Sequence, residues 1–226
     1  MNVIAFASRK GGTGKSTLAA HLAVQATMAH RSVLLIDADP QGSLSLWHEI
    51  RAKEQPALRR ATRGTQEAVK SAAREGHEWA FIDTPPNLSA SVSDAIRLAT
   101  LVLIPCRASV FDLTAIVETI DLCRRLNRPY SVIFNAVPSK RSDAEAAIVS
   151  DARHGLTAIK APVWSGQITH RADYCFALGA GAGAREFSPD ATAAEEISRL
   201  WSVIERSVKA INEARRSAHS RHASVA

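Results

Sequence analysis

Arg9-Lys10-Gly11-Gly12-Thr13-Gly14-Lys15-Ser16-Thr17 is the stretch on which the fold is decided. A loop that wraps a chain of phosphates needs several backbone N–H groups pointing inward, and glycine lets the chain come that close with the required dihedrals. Gly11, Gly12 and Gly14 meet that need. Lys15, Ser16 and Thr17 then open a helix, whose N–H groups and dipole favour anions. Lys15 adds a point charge over the β and γ phosphates, and the Ser16 hydroxyl suits Mg²⁺, a hard cation that takes oxygen ligands. The stretch departs from GxxxxGK[ST] in one respect: Arg9 stands at the first glycine position, and a second lysine, Lys10, follows it.

Outward from the loop, Val3–Ser8 is a short apolar run that reads as a buried strand, and Ser16–Ala29 repeats Leu18, Leu22 and Ala26 at helical spacing. Further strands are expected at Ser32–Asp37, Trp79–Asp83, Leu101–Pro105 and Tyr130–Val137. Helices are expected at Ser89–Ala99 and at Phe111–Leu126, the latter with Leu113, Ile116, Val117, Ile120 and Cys123 on one face. Strands alternating with helices of this length predict an α/β fold, a mainly parallel twisted sheet with helices on both faces, and the glycine loop set between strand and helix gives it the architecture of a P-loop NTPase. A last long helix, Thr192 to Arg216, aligns Ile197, Leu200, Trp201, Ile204, Val208 and Ile211 in a stripe that docks on the core. Residues 53–78 are polar and basic, with one short strand near Leu58, and Ala180–Ala184 is a small glycine/alanine loop. One domain is expected over residues 1–216, with 217–226 a polar, basic, disordered tail.

The 226 residues, 46% of them hydrophobic, suffice for a full core. No apolar run approaches the roughly 20 residues of a membrane-spanning helix, so a soluble protein is expected. The N-terminus leaves no room for a signal peptide before Gly11, which predicts no export. Cys106, Cys123 and Cys175 form no CxxC pair and fit neither a disulfide framework nor a metal site, so all three read as reduced core cysteines. The net charge of +6 favours anionic partners such as nucleic acid, although part of it sits at Arg215, Arg216 and Arg221.

Asp37-Ala38-Asp39-Pro40-Gln41-Gly42 puts two acids beyond a strand's C-terminal end, where open α/β sheets build their sites. Such acids can also cap turns. Trp79-Ala80-Phe81-Ile82-Asp83-Thr84-Pro85-Pro86 is an apolar strand ending in an acid, the form of a Walker B segment, with Asp83 holding Mg²⁺ through water. Asn135, beyond another strand, can pair an adenine edge through its amide or hold a turn.

The segment from Lys10 to Thr17 resembles the deviant Walker A motif of the ParA/MinD, SIMIBI-type ATPase family, and the resemblance extends over most of the chain. It implies that Lys10 reaches the partner subunit's nucleotide in an ATP-sandwich homodimer; the residues alone also allow a solvated loop lysine. By the same resemblance, ATP is held by Lys10, Gly11, Gly12, Thr13, Gly14, Lys15, Ser16 and Thr17, with Asn135 near adenine. Ser16, Asp37 and Asp83 serve Mg²⁺. Lys10, Lys15 and Asp39 are the catalytic group, Asp39 orienting the attacking water, and Thr84-Pro85-Pro86 is a second switch. Slow, Mg-dependent ATP hydrolysis is implied.

Within that family, membrane-bound members end in a basic helix with a strong apolar face, which Ser217–Ala223 lacks; no membrane partner is expected. Iron–sulfur carriers need cysteine spacings absent here. Asp39–Trp47 is similar to short ParA proteins, and with nothing before Val3 no helix-turn-helix domain is expected. Ile168–Tyr174 followed by Gly179 resembles the family's C-terminal signature, in which Arg171 aligns with a contact to DNA phosphates; a salt bridge to Asp173 is the alternative. The resemblance thus implies a cytoplasmic, nucleoid-associated ATPase that binds double-stranded DNA without sequence preference. It would partition or position a plasmid, chromosome region or protein cluster with a ParB-like or adaptor activator. The alternative is a MinD-like or regulatory switch acting through protein contacts without DNA.

Overall fold

Unbroken apolar stretches build strands buried on both faces, and the innermost of them leads straight into the glycine loop. The structure, a computed structural model, describes residues 1–142 and 144–223. Strand β1 (Asn2–Phe6) feeds helix α1 (Lys15–Met28); β2 (Val33–Asp37), α2 (Ser43–Ile50), β3 (Ala57–Arg60) and α3 (Thr65–Arg74) follow. The chain continues through β4 (Trp79–Asp83), α4 (Ala90–Leu98), β5 (Leu101–Cys106), α5 (Val110–Arg125) and β6 (Tyr130–Phe134). It closes with α6 (Ala147–Ala158), α7 (Ala172–Gly179), α8 (Ala184–Phe187) and α9 (Thr192–Ala223).

The six strands form one sheet in the order β3-β2-β4-β1-β5-β6, parallel at every pairing. Parallel neighbours need crossovers, and helices supply them, so both faces are covered. After β1 the chain builds outward to β3, returns to β4 and then builds the opposite side. The crevice at that reversal lies beyond the strands' C-terminal ends. Register there sets Asp83 beside Phe6 and Asp37 beside Asp83.

One core face carries α3 to α6, with Ala72, Ile96, Ile116, Ile120 and Leu156 on Val102, Phe134 and Ile82. The other carries α1, α9 and α7, with Leu18, Leu22, Leu200, Trp201 and Tyr174 on Phe6, Phe81 and Leu35. α1 is buried almost all round, and its alanines at 19, 20, 23 and 26 allow that close approach. The stripe expected on the last helix docks as read, from Ile197 to Val208, with Ile211 half-buried.

Several expectations change. α9 continues to Ala223, so residues 217–223 of the expected disordered tail are helical; no glycine or proline follows Pro189 to stop the helix. Residues 224–226 of that expected tail lie outside the described residues. The segment 53–78 holds both an edge strand and α3, which buries Thr65, Ala68, Val69 and Ala72 at helical spacing. Short side chains on that face give too weak an apolar stripe to read. Val117 faces solvent and Cys175 is exposed, whereas Cys106 and Cys123 are buried. Among the described residues no helix is long and apolar enough to cross a membrane.

The glycine/alanine loop is packed tightly. Gly181 has φ +65° and receives Arg51 Nη1 on its carbonyl at 2.9 Å; that guanidinium also grips Glu186 with two hydrogen bonds of 2.7 and 2.8 Å. A Cβ on Gly183 would sit 2.7 Å from Val24 of α1. Next to it the Ala184 N–H donates to His21 Nδ1 at 3.0 Å, and burial pushes the His21 pKa down to about 4. Gly183→Ala is therefore expected to destabilise the fold by about 1–3 kcal/mol through overpacking against α1. Urea unfolding with an unchanged midpoint would show that the loop yields instead.

Candidate nucleotide site

Between β1 and α1 the backbone turns at Gly12 (φ 71°) and Gly14 (φ 93°), a left-handed region that favours glycine. Gly14 is the N-cap of α1 and no side chain caps the helix, which leaves its first N–H groups for an anion. The loop is gripped from the side: Asn135 Nδ2, at the end of β6, donates to the Thr13 carbonyl at 2.7 Å. A Cβ on Gly14 would fall 2.1 Å from that nitrogen, so glycine is required here by space as well as by φ. A cleft opens over the loop, lined by Gly11, Gly12, Gly14, Lys15, Ser16, Thr17, Asp39, Gln41 and Pro86.

The carboxylates arrive from β2 and β4. Ser16 Oγ donates to Asp83 Oδ2 at 2.5 Å, while Asp83 Oδ1 is buried without a partner. Burial raises the Asp83 pKa to about 7; the Ser16 hydrogen bond and the Lys15 charge lower it, and the charges of Asp37 and Asp39 add to the rise. Asp37 Oδ2 accepts from Ser45 N at 2.9 Å and Ser45 Oγ at 2.6 Å, and its Oδ1 is likewise buried and unpaired. Asp37 thus caps the first turn of α2 with one oxygen and turns the other to the site. Asp39 is half-buried at the cleft and accepts from Gln41 N at 3.0 Å.

The chemistry of this donor set fits Mg²⁺. Among the described residues no group of three or more His, Cys, Asp or Glu could hold a metal ion, but Mg²⁺ keeps several waters and takes one or two carboxylates with phosphate oxygens. The two orphaned carboxylate oxygens and the Ser16 hydroxyl are the residues that would hold it. When bound, the ion supplies charge neutralisation to phosphate oxygens.

The two lysines part company. Lys15 is buried, its Nζ 3.5 Å from the Lys10 carbonyl; burial lowers its pKa, against the opposing charges of Asp83 and Asp39. Lys10 turns the other way, and its Nζ meets Asp112 Oδ2 at 2.8 Å at the start of α5. Asp112 is buried and also accepts from Ser109 Oγ, and Arg9 pairs with Glu118 one turn and a half along α5.

The remaining expected residues fall in different surroundings. Asn135 is 5% exposed and bonded to the phosphate loop. Arg171 lies at the N-cap of α7 and pairs with Glu196 of α9, Nη2 to Oε1 at 3.2 Å, in place of the Asp173 pairing considered from the sequence. Sequence reasoning missed Ser45, Asp112 and Glu196. Ser45 lies eight residues from Asp37, within local reach, but only the fold brings Asp112 and Glu196 to their partners, 102 and 25 residues away.

Asp83 gives the site a pH signature. Its folded pKa is raised, so its contribution to stability is full below the ordinary carboxylate value of about 4 and is lost as pH rises through about 7. The nucleotide-free protein is expected to melt at lower temperature at pH 8.5 than at pH 6, with the slope flattened in Asp83→Asn. Identical slopes for the two proteins in calorimetry would refute this account of Asp83.

Comparison with known proteins agrees with this geometry. The model of the CobQ/CobB/MinD/ParA nucleotide-binding domain matches residues 4–182. The chain is 26% identical over 207 residues to maintenance of carboxysome distribution protein A of Halothiobacillus neapolitanus, covering 89% of this chain and 95% of that one. It is 33% identical over 177 residues to protein ParA of Rhizobium radiobacter, covering 72% and 78%. Among solved structures, apo McdA of Cyanothece superposes with a TM-score of 0.72 at 18% identity, over 93% of this chain and 99% of that one, a likeness of fold. With its deviant glycine loop, paired strand-end acids and six-stranded parallel sheet, the chain belongs to the CobQ/CobB/MinD/ParA family and is a P-loop ATPase of ParA/MinD type.

Proposed function

We propose that this ATPase is a ParA-like positioning switch. Two copies close on ATP, the closed dimer holds double-stranded DNA without sequence preference, and slow hydrolysis releases it. The observation that carries this reading is the division of labour between the lysines. Lys15 is committed to its own loop, while Lys10, five residues earlier, is half-buried and paired with Asp112 at the start of α5. A cation at the rim of a phosphate loop and turned away from it suits a nucleotide bound by a facing copy. Val110 and Phe111, next to Asp112 in sequence, are 75% and 81% exposed, as an interface would have them before it closes.

In this reading Lys10, Lys15 and Asp39 form the catalytic group, Lys10 acting across the dimer and Asp39 orienting water. Ser16, Asp37 and Asp83 hold Mg²⁺. The Asn135 amide has a second N–H and a carbonyl oxygen, so it can keep the phosphate loop and still meet adenine. Arg171 contacts DNA phosphates. Relatives named for carboxysome distribution and as ParA support a role in distributing a large cargo, with a ParB-like or adaptor activator.

Two measurements test this. DNA binding is expected with ATP and not with ADP, and it should weaken steeply with salt because phosphate contacts release counterions. Arg171→Glu should abolish that binding while ATP-dependent dimers persist. Equal binding with ADP defeats the mechanism, and ATP dimers that never bind DNA favour a regulatory switch working through protein contacts. Sedimentation of Lys10→Ala with ATP should show mainly monomer; normal dimers in that variant remove the role given to Lys10.

A further inference from the structure

Glu196 is buried in the second turn of α9, 8% exposed, and three donors converge on it from another part of the chain. Its Oε2 accepts from the Thr169 N–H at 2.9 Å and from the Tyr174 hydroxyl at 2.7 Å. Its Oε1 accepts from Arg171 Nη2 at 3.2 Å and Nε at 3.4 Å. Charge-assisted N–H···O bonds usually measure about 2.7–2.9 Å, so the guanidinium is the loosest of the three partners. The Arg171 side chain is 28% exposed, and water can take its place on Oε1. Thr169 and Tyr174 would stay.

Arg171 shares a surface cleft with Lys140 and Arg199, both exposed, and with Thr169 and Thr192. Arg199 is in turn paired with Glu195 at 2.7 Å, an exposed i,i+4 contact of small worth. The carboxylates Glu195 and Glu196 thus offset two of the three cations. The cleft gains a phosphate-binding field only when an arginine leaves its acid.

The loop carrying Arg171 hangs from the strand end that grips the phosphate loop. Ile168 N donates to the Phe134 carbonyl at 2.8 Å and Val137 N to the Ile168 carbonyl at 3.2 Å, and Asn135, between them, holds Thr13. These bonds tie the phosphate loop to the segment that carries Arg171.

We propose that Glu196 is a positioning residue that holds Arg171 in reserve, so that the cleft of Lys140, Arg171 and Arg199 takes nucleic-acid phosphate only after that pair opens. This rests on the DNA-binding reading above. Glu196→Gln keeps an acceptor for Thr169 and Tyr174 but removes the charge that retains Arg171. At low salt and without nucleotide, Glu196→Gln should bind double-stranded DNA about tenfold or more tightly than the wild type, by fluorescence anisotropy. Adding Arg171→Ala to it should erase the gain.

A folded Glu196→Gln protein that binds DNA with ATP as the wild type does, with no gain in its absence, overturns the role of Glu196 alone. A wild type that fails to bind DNA with ATP counts against the DNA reading itself. Should Glu196→Gln not fold, the wild type carries the test through the Arg171 Nε–Hε NMR signal. DNA should shift that signal in the ATP state and leave it unmoved without nucleotide, and a signal indifferent to DNA in the ATP state overturns the proposal.

Discussion

Two carboxylates buried side by side, Asp37 and Asp83 at the ends of adjacent parallel strands, are the constraint that the C-terminal edge of this sheet answers to. Like charges so placed, each with one oxygen unpaired, carry desolvation and repulsion that no fold would accept for stability alone. Ser16, Ser45 and Lys15 offset part of it: two hydroxyls, one helix-capping N–H and a buried ammonium whose own pKa is lowered by the same burial. Burial above all, with the charges of Asp37 and Asp39, still pushes the Asp83 pKa up to about 7 against Ser16 and Lys15. A divalent cation would remove that residue of strain, so ligand binding and folding stability draw on one electrostatic deficit.

What the sequence disclosed follows from which interactions are local. β2 and β4 were legible because four consecutive apolar residues end in an acid, and the phosphate loop because its glycines serve backbone conformation within one turn. The stripe on α9 was legible by period, though not the helix's end, which depends on the absence of a stop signal over a polar segment. α3 was not, since its buried face is made of alanine, threonine and one valine inside a charged segment. At the site, residue types were readable and partners were not. Asn135 offers the same amide to an adenine, a turn or a loop carbonyl, and only the fold shows it 2.7 Å from Thr13.

Asn135 also explains why the glycine loop tolerates no replacement at its last glycine. The amide occupies the space a side chain on Gly14 would need, so the loop's shape is enforced from β6 as well as by its own dihedrals. Because β6 lies at the far edge of the sheet from β2, the phosphate loop is held between a neutral donor on one side and acids on the other. An anion entering the loop meets donors from α1 while the acids remain behind Ser16 and Lys15. That arrangement separates the phosphate from the carboxylates that would repel it.

Lys10 takes part in a second such balance, at the start of α5. Asp112 is almost wholly buried, and the Lys10 ammonium and the Ser109 hydroxyl are what compensate it. Drawing Lys10 off would leave a buried carboxylate short of its charge partner, a loss of the order of 3–5 kcal/mol when one member of a buried pair is removed, and less here because Lys10 is 39% exposed. If two copies close on ATP as proposed, the negative charge of a facing triphosphate would offset that loss better than the smaller charge of a diphosphate. In that reading the cost of breaking the Lys10–Asp112 pair would set a threshold for closure, and discrimination between the two nucleotides would follow from the charge needed to cross it.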